Sequence, residues 1–320
     1  MAKIHVLHEN AAWLGPLRAA FDELGLPYEE WFLDQGQVPF DRIPPEGVFY
    51  NRMSASSHTR GHRFAPELTH ATLNWLETHG RRVVNSSRAL YLEVSKIAQY
   101  AALNRAGIRT PRSVAAVGRA QVLQAARDFG ETPFIAKPNR GGKGLGVHLF
   151  HSVDELAAQL DAAPEEAPID GIWLIQSYIQ APEPVITRCE FVGGRFLYAV
   201  EVDTRDGFEL CPSDVCAVEA GAEADTAPRG PMFRILEGFD DPILERYAGF
   251  LADNGIEISG IEFIRDSSGE IFTYDVNTNT NYNPEAEATA GGPYGMKAIA
   301  RFLGEELDRL RGPVSGVAAE

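Results

Sequence analysis

The run Phe134-Ile-Ala-Lys-Pro-Asn-Arg-Gly-Gly-Lys-Gly-Leu-Gly-Val-His-Leu-Phe150 gathers the groups best suited to holding phosphate. An apolar stretch ends in Lys137, and Pro138 leads into a loop carrying Gly141, Gly142, Gly144 and Gly146 with Arg140 and Lys143 among them. Glycines let backbone N–H groups close around phosphate oxygens, and the basic side chains add positive charge. Lys137, projecting from the preceding strand, meets the same phosphates as a point charge. Val147, Leu149 and Phe150 resume a strand pattern, so this loop joins strand to strand. A Walker loop needs Ser or Thr after its lysine, and Lys143 is followed by Gly144. A dinucleotide fingerprint needs a helix after its glycines, and the next helix signal is the capping box from Ser152 to Glu155. The competing reading is a hairpin with a mobile glycine tip.

A second group of residues suits a metal. Gly260-Ile-Glu262 lies on one predicted strand, and Tyr274-Asp-Val-Asn277 on the next, after the turn Arg265-Asp-Ser-Ser-Gly269. Antiparallel pairing brings Glu262, Asp275 and Asn277 to one end, and alternation puts Asp275 and Asn277 on one face. Three oxygen donors without sulfur or imidazole suit Mg²⁺, and a divalent ion makes the pairing of two carboxylates favourable. An exposed hairpin with its polar residues outward is the structural alternative.

These groups sit in a chain of 320 residues, 44% hydrophobic and 23% charged, long enough for two or three compact units. A formal net charge of −16 argues against nucleic acid and anionic membranes as partners. No apolar run reaches membrane-spanning length and the N-terminus lacks a signal-peptide core, so the cytoplasm is the expected compartment. Cys211 and Cys216 lack a second Cys/His pair to complete a zinc site and read, with Cys189, as small structural residues.

Strands alternating with helices over the first ninety residues predict a small open α/β domain. One long helix follows over about 87–105, then an extended piece at Thr110-Pro111, a helix over 120–129, the glycine hairpin, and a helix from Val153. Strands are expected at 172–176, 188–192, 196–202, 261–264 and 271–276, with helices over 241–254 and 296–310 and a frayed tail beyond.

Taken together, these segments resemble the ATP-grasp superfamily, and within it the RimK-type glutamate ligases and glutathione synthetases. Four motifs fall in that family's order over about 85–310: Ser95-Lys96 before Gly107-Ile-Arg-Thr-Pro111; the Lys137 strand with its glycine loop; Trp173-Leu-Ile-Gln-Ser-Tyr-Ile179; and the Glu262/Asp275/Asn277 strands. The resemblance implies an α/β ATP-grasp fold: an N-terminal domain over 1–93 and two subdomains, 94–182 and 183–310, clamping ATP, with a disordered tail over 311–320. It implies that Lys96 and Lys137 contact the phosphates under a flap formed by Gly141, Gly142, Lys143 and Gly144. The backbone over Gln176, Ser177, Tyr178 and Ile179 would pair with adenine, and Glu183 would take the ribose hydroxyls. The chain departs from the RimK pattern at Ile186-Thr187-Arg188, where the family has Asp-Ile-Arg; Arg188 keeps its place. The two metal carboxylates are exchanged relative to the family's order, and a one-residue longer turn would separate them.

The implied reaction has ATP phosphorylate a carboxylate and an amine displace the phosphate. Mg²⁺ (or Mn²⁺), Lys96, Lys137 and Arg188 would stabilise the transferring phosphoryl group, Arg188 and Lys137 as the catalytic pair. A kinase on the same fold and a non-catalytic ATP-binding regulator remain alternatives, and homo-oligomerisation is left open. For the carboxylate and amine substrates, the basic segment Asn51–Arg63 follows a strand of the N-terminal domain, where open sheets bind ligands. Arg52 and Arg60 are its candidates for a substrate carboxylate. Arg234, in a run that replaces the family's Asn-Leu-His-Arg-Gly-Gly, and Asn279, in the asparagine-rich run after Asn277, are further candidates.

Overall fold

Parallel strands require crossovers, and the first ninety residues supply them. The computed structural model of the chain describes residues 2–142, 144–163, 167–205 and 232–312. In it β1 (Lys3–His8), α1 (Gly15–Glu23), β2 (Tyr28–Phe32), β3 (Gly47–Asn51), α2 (Ala65–Thr78) and β4 (Arg82–Val84) build a parallel sheet in the order β2-β1-β3-β4. Its central strands are buried almost throughout, as expected of a sheet covered on both faces. On one side Phe49, Met53, Leu73 and Leu76 form a core with α2. Gly47 is required in β3 because a Cβ there would stand 2.8 Å from the His5 ring.

The single helix expected over 87–105 is two: α3 (Ser87–Glu93) and α4 (Lys96–Arg105). Ser95 between them is extended, and its hydroxyl caps α4 by accepting from the Ala98 N–H at 3.3 Å. The apolar periodicity runs on across this break and conceals it. Consequently Lys96 opens α4 rather than lying within a longer helix.

Next come β5 (Ser113–Val117), α5 (Arg119–Phe129), β6 (Phe134–Pro138), β7 (His148–Phe150), α6 (Val153–Ala162) and β8 (Ile172–Ser177), giving an antiparallel sheet ordered β5-β8-β6-β7. Phe134, Ala136, Trp173 and Ile175 pack under α5 and α6. By alternation Ile135, Lys137, Leu174 and Gln176 face the opposite way.

The third sheet is antiparallel, ordered β11-β10-β9-β12-β13, from β9 (Val185–Val192), β10 (Arg195–Asp203), β11 (Phe233–Leu236), β12 (Ile258–Arg265) and β13 (Ile271–Asn277). With it go α7 (Ile243–Asp253), α8 (Pro284–Thr289) and α9 (Gly295–Arg311). Cys189, Phe191, Ile261 and Val276 join a core with α7, α3 and α4. Ile186, Tyr198 and Ile258 turn the other way, into a core shared with Ile4, Tyr50 and the Ile299 and Leu303 face of α9. The N-terminal sheet and the third sheet thus share one core. Tyr100 and Leu103 bind α4 to the third sheet's core, although the expected boundary at 93/94 groups that helix with the glycine-flap sheet. β11 and α8 do not figure in the sequence reading. Lys143, Cys211, Cys216 and the tail beyond Gly312 lie outside the described residues.

Candidate active site

Gln99 sets the site's geometry. Its side-chain amide donates to the Val276 carbonyl at 2.8 Å and accepts from the Val276 N–H at 3.0 Å, fixing α4 beside β13. From the other side Asn139, just past β6, takes the Lys96 N–H on its carbonyl and the Ile97 N–H on Oδ1. Lys96 is thereby held against Asp275, to which its Nζ donates. One helical turn on, the Tyr100 hydroxyl accepts from Lys137 Nζ at 2.7 Å and lies 2.9 Å from both Gln176 Oε1 and the Tyr274 carbonyl. Lys96 and Lys137 are expected from sequence, Gln99 and Tyr100 are not; their spacings of three and four from Lys96 on a helix are the available signal.

Burial, aided by the Lys96 charge, pulls the Lys137 ammonium down to about 7 against the opposing field of Asp275 and Glu262. A bound triphosphate favours the charged form, so nucleotide affinity should fall as pH rises above 7. Between the free and bound pKa values the loss is up to about tenfold per pH unit. Nucleotide phosphates are already ionised above pH 7.5, so a slope from 7.5 to 9 belongs to the protein. Titrating a non-hydrolysable ATP analogue across that range should show it in the native chain and not in Lys137→Met; equal slopes would remove the assignment.

The two carboxylates meet through a β-bulge. Gly260, Ile261 and Glu262 pair with Asn277, Val276 and Asp275, whereas Phe263 pairs with Thr273, so Tyr274 is the extra residue. The expected longer turn is therefore a bulge within β13, and it places Asp275 directly opposite Glu262. Across the other edge of β12, Glu262 is in register with Arg188 of β9. Arg188 is 4% exposed, and each of its three nitrogens donates once: Nε to Glu190 at 2.5 Å, one terminal nitrogen to Glu262 at 2.7 Å and the other to Thr280 Oγ1 at 2.7 Å, leaving one N–H on each terminal nitrogen. Burial lowers its pKa, but the Glu190 and Glu262 charges more than offset this and raise it. A Cβ at Gly260 would stand 2.6 Å from the Arg188 Cζ, which explains the glycine before Glu262. Asn277 Oδ1 accepts from the Asn279 N–H at 2.8 Å and retains a second lone pair. Among the described residues no three His, Cys, Asp or Glu side chains form a metal cluster, so a hard ion here would take Glu262, Asp275 and the Asn277 amide. The set fits such an ion: its oxygens are hard donors, and both carboxylates already draw cationic side chains.

In the flap, Gly144 and Gly146 adopt φ of +75° and +71°, a region that favours glycine. Gly141 lies against Pro138 and Gly142 against Ser56, where a Cβ would come within 3.2 and 3.3 Å. Arg140, expected to add charge for phosphate, is engaged elsewhere: its buried guanidinium donates to Glu67 of α2 at 2.8 Å. In the β8 segment, Gln176 is in register with Ile135 and Ile135 with Leu149, a row on the Lys137 face. Ser177 Oγ donates to Glu131 at 2.6 Å; β8 ends there, so Tyr178 and Ile179 leave the sheet. Glu183 is exposed, and its carbonyl accepts from the Val185 N–H.

Of the three candidate substrate arginines, Arg52 and Arg60 are engaged within the protein, whereas the Arg234 side chain lies exposed. Arg52, 3% exposed, donates to Asn279 Oδ1 at 3.0 Å, the Thr280 carbonyl at 3.1 Å and Asn281 Oδ1 at 2.8 Å. It ties the end of β3 to the run after β13. Arg60 pairs with the buried Glu9 at 2.5 Å, and Arg234 bonds the Glu201 opposite it on β10 at 2.7 Å. These contacts alter what is expected of Arg52. Its replacement by Ala strands three acceptors and should lower unfolding stability by about 3 kcal/mol, read by urea denaturation. A variant of native stability would reopen Arg52 as a substrate group.

A parallel N-terminal sheet followed by two antiparallel sheets, which Tyr100 links by bonding Lys137 and Gln176 of one and the Tyr274 carbonyl of the other, has the ATP-grasp fold. Solved structures with this fold superpose on nearly the whole chain. The D-cycloserine synthetase DcsG is 16% identical (TM-score 0.64), covering 95% of this chain and 100% of that one. The ATP-grasp ligase PsnB, complexed with a minimal precursor, is 16% identical (TM-score 0.66; 95% and 99%). The RimK domain ATP-grasp protein of Sphaerobacter thermophilus is 15% identical (TM-score 0.65; 94% and 99%). More narrowly, residues 94–209 match the family described as the RimK-like ATP-grasp domain. No curated protein matches the sequence.

Proposed function

We propose that this chain is an ATP- and Mg²⁺-dependent carboxylate–amine ligase that forms an amide through an acyl phosphate. The observation that carries this reading is the convergence of Lys96, Lys137 and Arg188 on the paired carboxylates Asp275 and Glu262. The row Leu149, Ile135 and Gln176, with the backbone of Tyr178 and Ile179 free of the sheet, supplies an apolar wall and hydrogen-bonding edge for adenine. Lys96 and Lys137 then face the phosphates, under the flap of Gly141 to Gly146 that limits water. Glu262, Asp275 and Asn277 would hold Mg²⁺, with Mn²⁺ as a substitute; such an ion neutralises developing phosphate charge. Arg188, rigidly held, stabilises the oxygens of the phosphorylated carboxylate.

Both DcsG and PsnB are ligases of this fold, one described as a synthetase of a small molecule and the other complexed with precursor. The same reading for this chain is an amino acid joined to a small-molecule or peptide acceptor. Among the described residues no helix is long and apolar enough to cross a membrane. The charge of −16 disfavours nucleic acid as a partner. The test is ADP release with ATP and Mg²⁺ against pooled amino acids and dipeptides, with mass spectrometry of the product. An amide plus free phosphate is expected; a stable phosphorylated product, or no nucleotide binding with or without Mg²⁺, overturns the reading.

A further inference from the structure

Glu287, on α8, is 6% exposed and has no cationic partner among the described residues. Its Oε1 accepts from the Tyr198 hydroxyl and the Gly295 N–H, both at 2.7 Å. No bond among the described residues engages Oε2. A buried carboxylate left without a cation is unfavourable, and burial pushes this one's pKa up. It lines a cavity of about 10 Å³, room for a single water-sized group, together with Arg188, Glu190, Tyr198, Tyr282 and Asn283. A second, independent group points the same way: the Tyr282 hydroxyl, on a residue 6% exposed, is buried without a hydrogen-bond partner among the described residues. Glu190 is the other acid on the wall, and Arg188, the wall's cation, is already shared between Glu190 and Glu262. The lining thus sets two acids beside one cation that is already shared, with one carboxylate oxygen and one hydroxyl to spare.

We infer that this cavity, bounded by Glu287 and Tyr282 beside Arg188, takes the ammonium group of the amine substrate. An ammonium is water-sized, donates to both the Oε2 and the tyrosyl oxygen, and supplies the missing positive charge. Its place on the Arg188 wall sets the amine next to the arginine assigned to the activated carboxylate, and the Glu287 carboxylate takes a proton from the ammonium before the freed nitrogen displaces phosphate. The role rests on the ligase reading, but the pocket itself can be tested without turnover.

With the acceptor found by ADP release, Glu287→Gln should raise the acceptor KM by about tenfold or more and leave the ATP KM unchanged. Glutamine keeps an oxygen for Tyr198 and Gly295 but turns an N–H₂ toward the cavity. Tyr282→Phe, which removes a hydroxyl with no partner among the described residues, should raise the same KM by about threefold with an unaltered melting temperature. Independently, ammonium chloride should raise the melting temperature of the native chain above that in equimolar sodium or tetramethylammonium chloride, and not that of Glu287→Gln. Unchanged acceptor KM in both variants, or the same ammonium response in native and Glu287→Gln proteins, overturns the inference. Absence of amine-dependent ADP release in the native chain would instead remove the ligase reading, leaving the ammonium shift to decide on the pocket.

Discussion

Asp275→Asn is expected to lower ATP turnover by about 10²–10³-fold while the protein folds and melts much as the native chain does. Asp275 stands directly opposite Glu262 because of the Tyr274 bulge, and it holds Lys96. Asparagine preserves the volume but removes one of the two charges for a divalent ion and the counter-ion of Lys96. Both losses fall on the phosphoryl-transfer step. Stability should change little, since the side chain is about a quarter exposed and such a pair is weak in solvent. Steady-state ADP release, a melting curve and calorimetry with a non-hydrolysable analogue separate these effects. Near-native turnover would make the β12–β13 pair an ordinary polar hairpin and leave Glu262 and Asn277 without their assigned role.

What the sequence made legible follows from whether a feature depends on local chemistry. The strand–loop–strand around the glycine run after Lys137 and the pairing that sets Glu262 opposite the Asp275/Asn277 strand are legible, because both depend on particular residue types at fixed spacing. The parallel N-terminal sheet is readable from its alternating helices and strands. Features decided by partners distant in sequence are not. Arg140 reads as a phosphate-binding residue until Glu67, 73 residues away, accepts a hydrogen bond from its guanidinium. Arg52 reads as a free cation after a strand, although its acceptors lie more than 220 residues on. The Ser95 break is a nearer failure: a serine can lie within a helix or cap one, and its contact with the loop at Asn139 supports the second outcome. Gln99 and Tyr100 look like ordinary helix residues, and only the closeness of α4 to β13 gives them work.

Arg188→Ala should be the most damaging single change in the site, acting on folding and chemistry together. The guanidinium compensates Glu190, which is 2% exposed, and Glu262. Removing one member of a buried ion pair costs about 3–5 kcal/mol, because the remaining charge is desolvated and alone. Burial already raises the Glu190 pKa against the opposing pull of Arg188 and Thr280; without Arg188 that carboxyl should rise further. An acid whose folded pKa lies above its unfolded value penalises the fold at high pH and is relieved as pH falls through the folded value. The variant's stability deficit should therefore shrink between pH 8 and pH 5, a trend that a simple packing defect would not produce. Arg188→Lys keeps one charge but cannot reach Glu190, Glu262 and Thr280 at once, so it should recover much of the stability and little of the turnover. Urea denaturation at several pH values and ADP release together decide the case. A deficit independent of pH would remove Glu190 from the account, and a lysine variant with native turnover would show that charge, rather than the three-way hold on the guanidinium, is what the reaction uses.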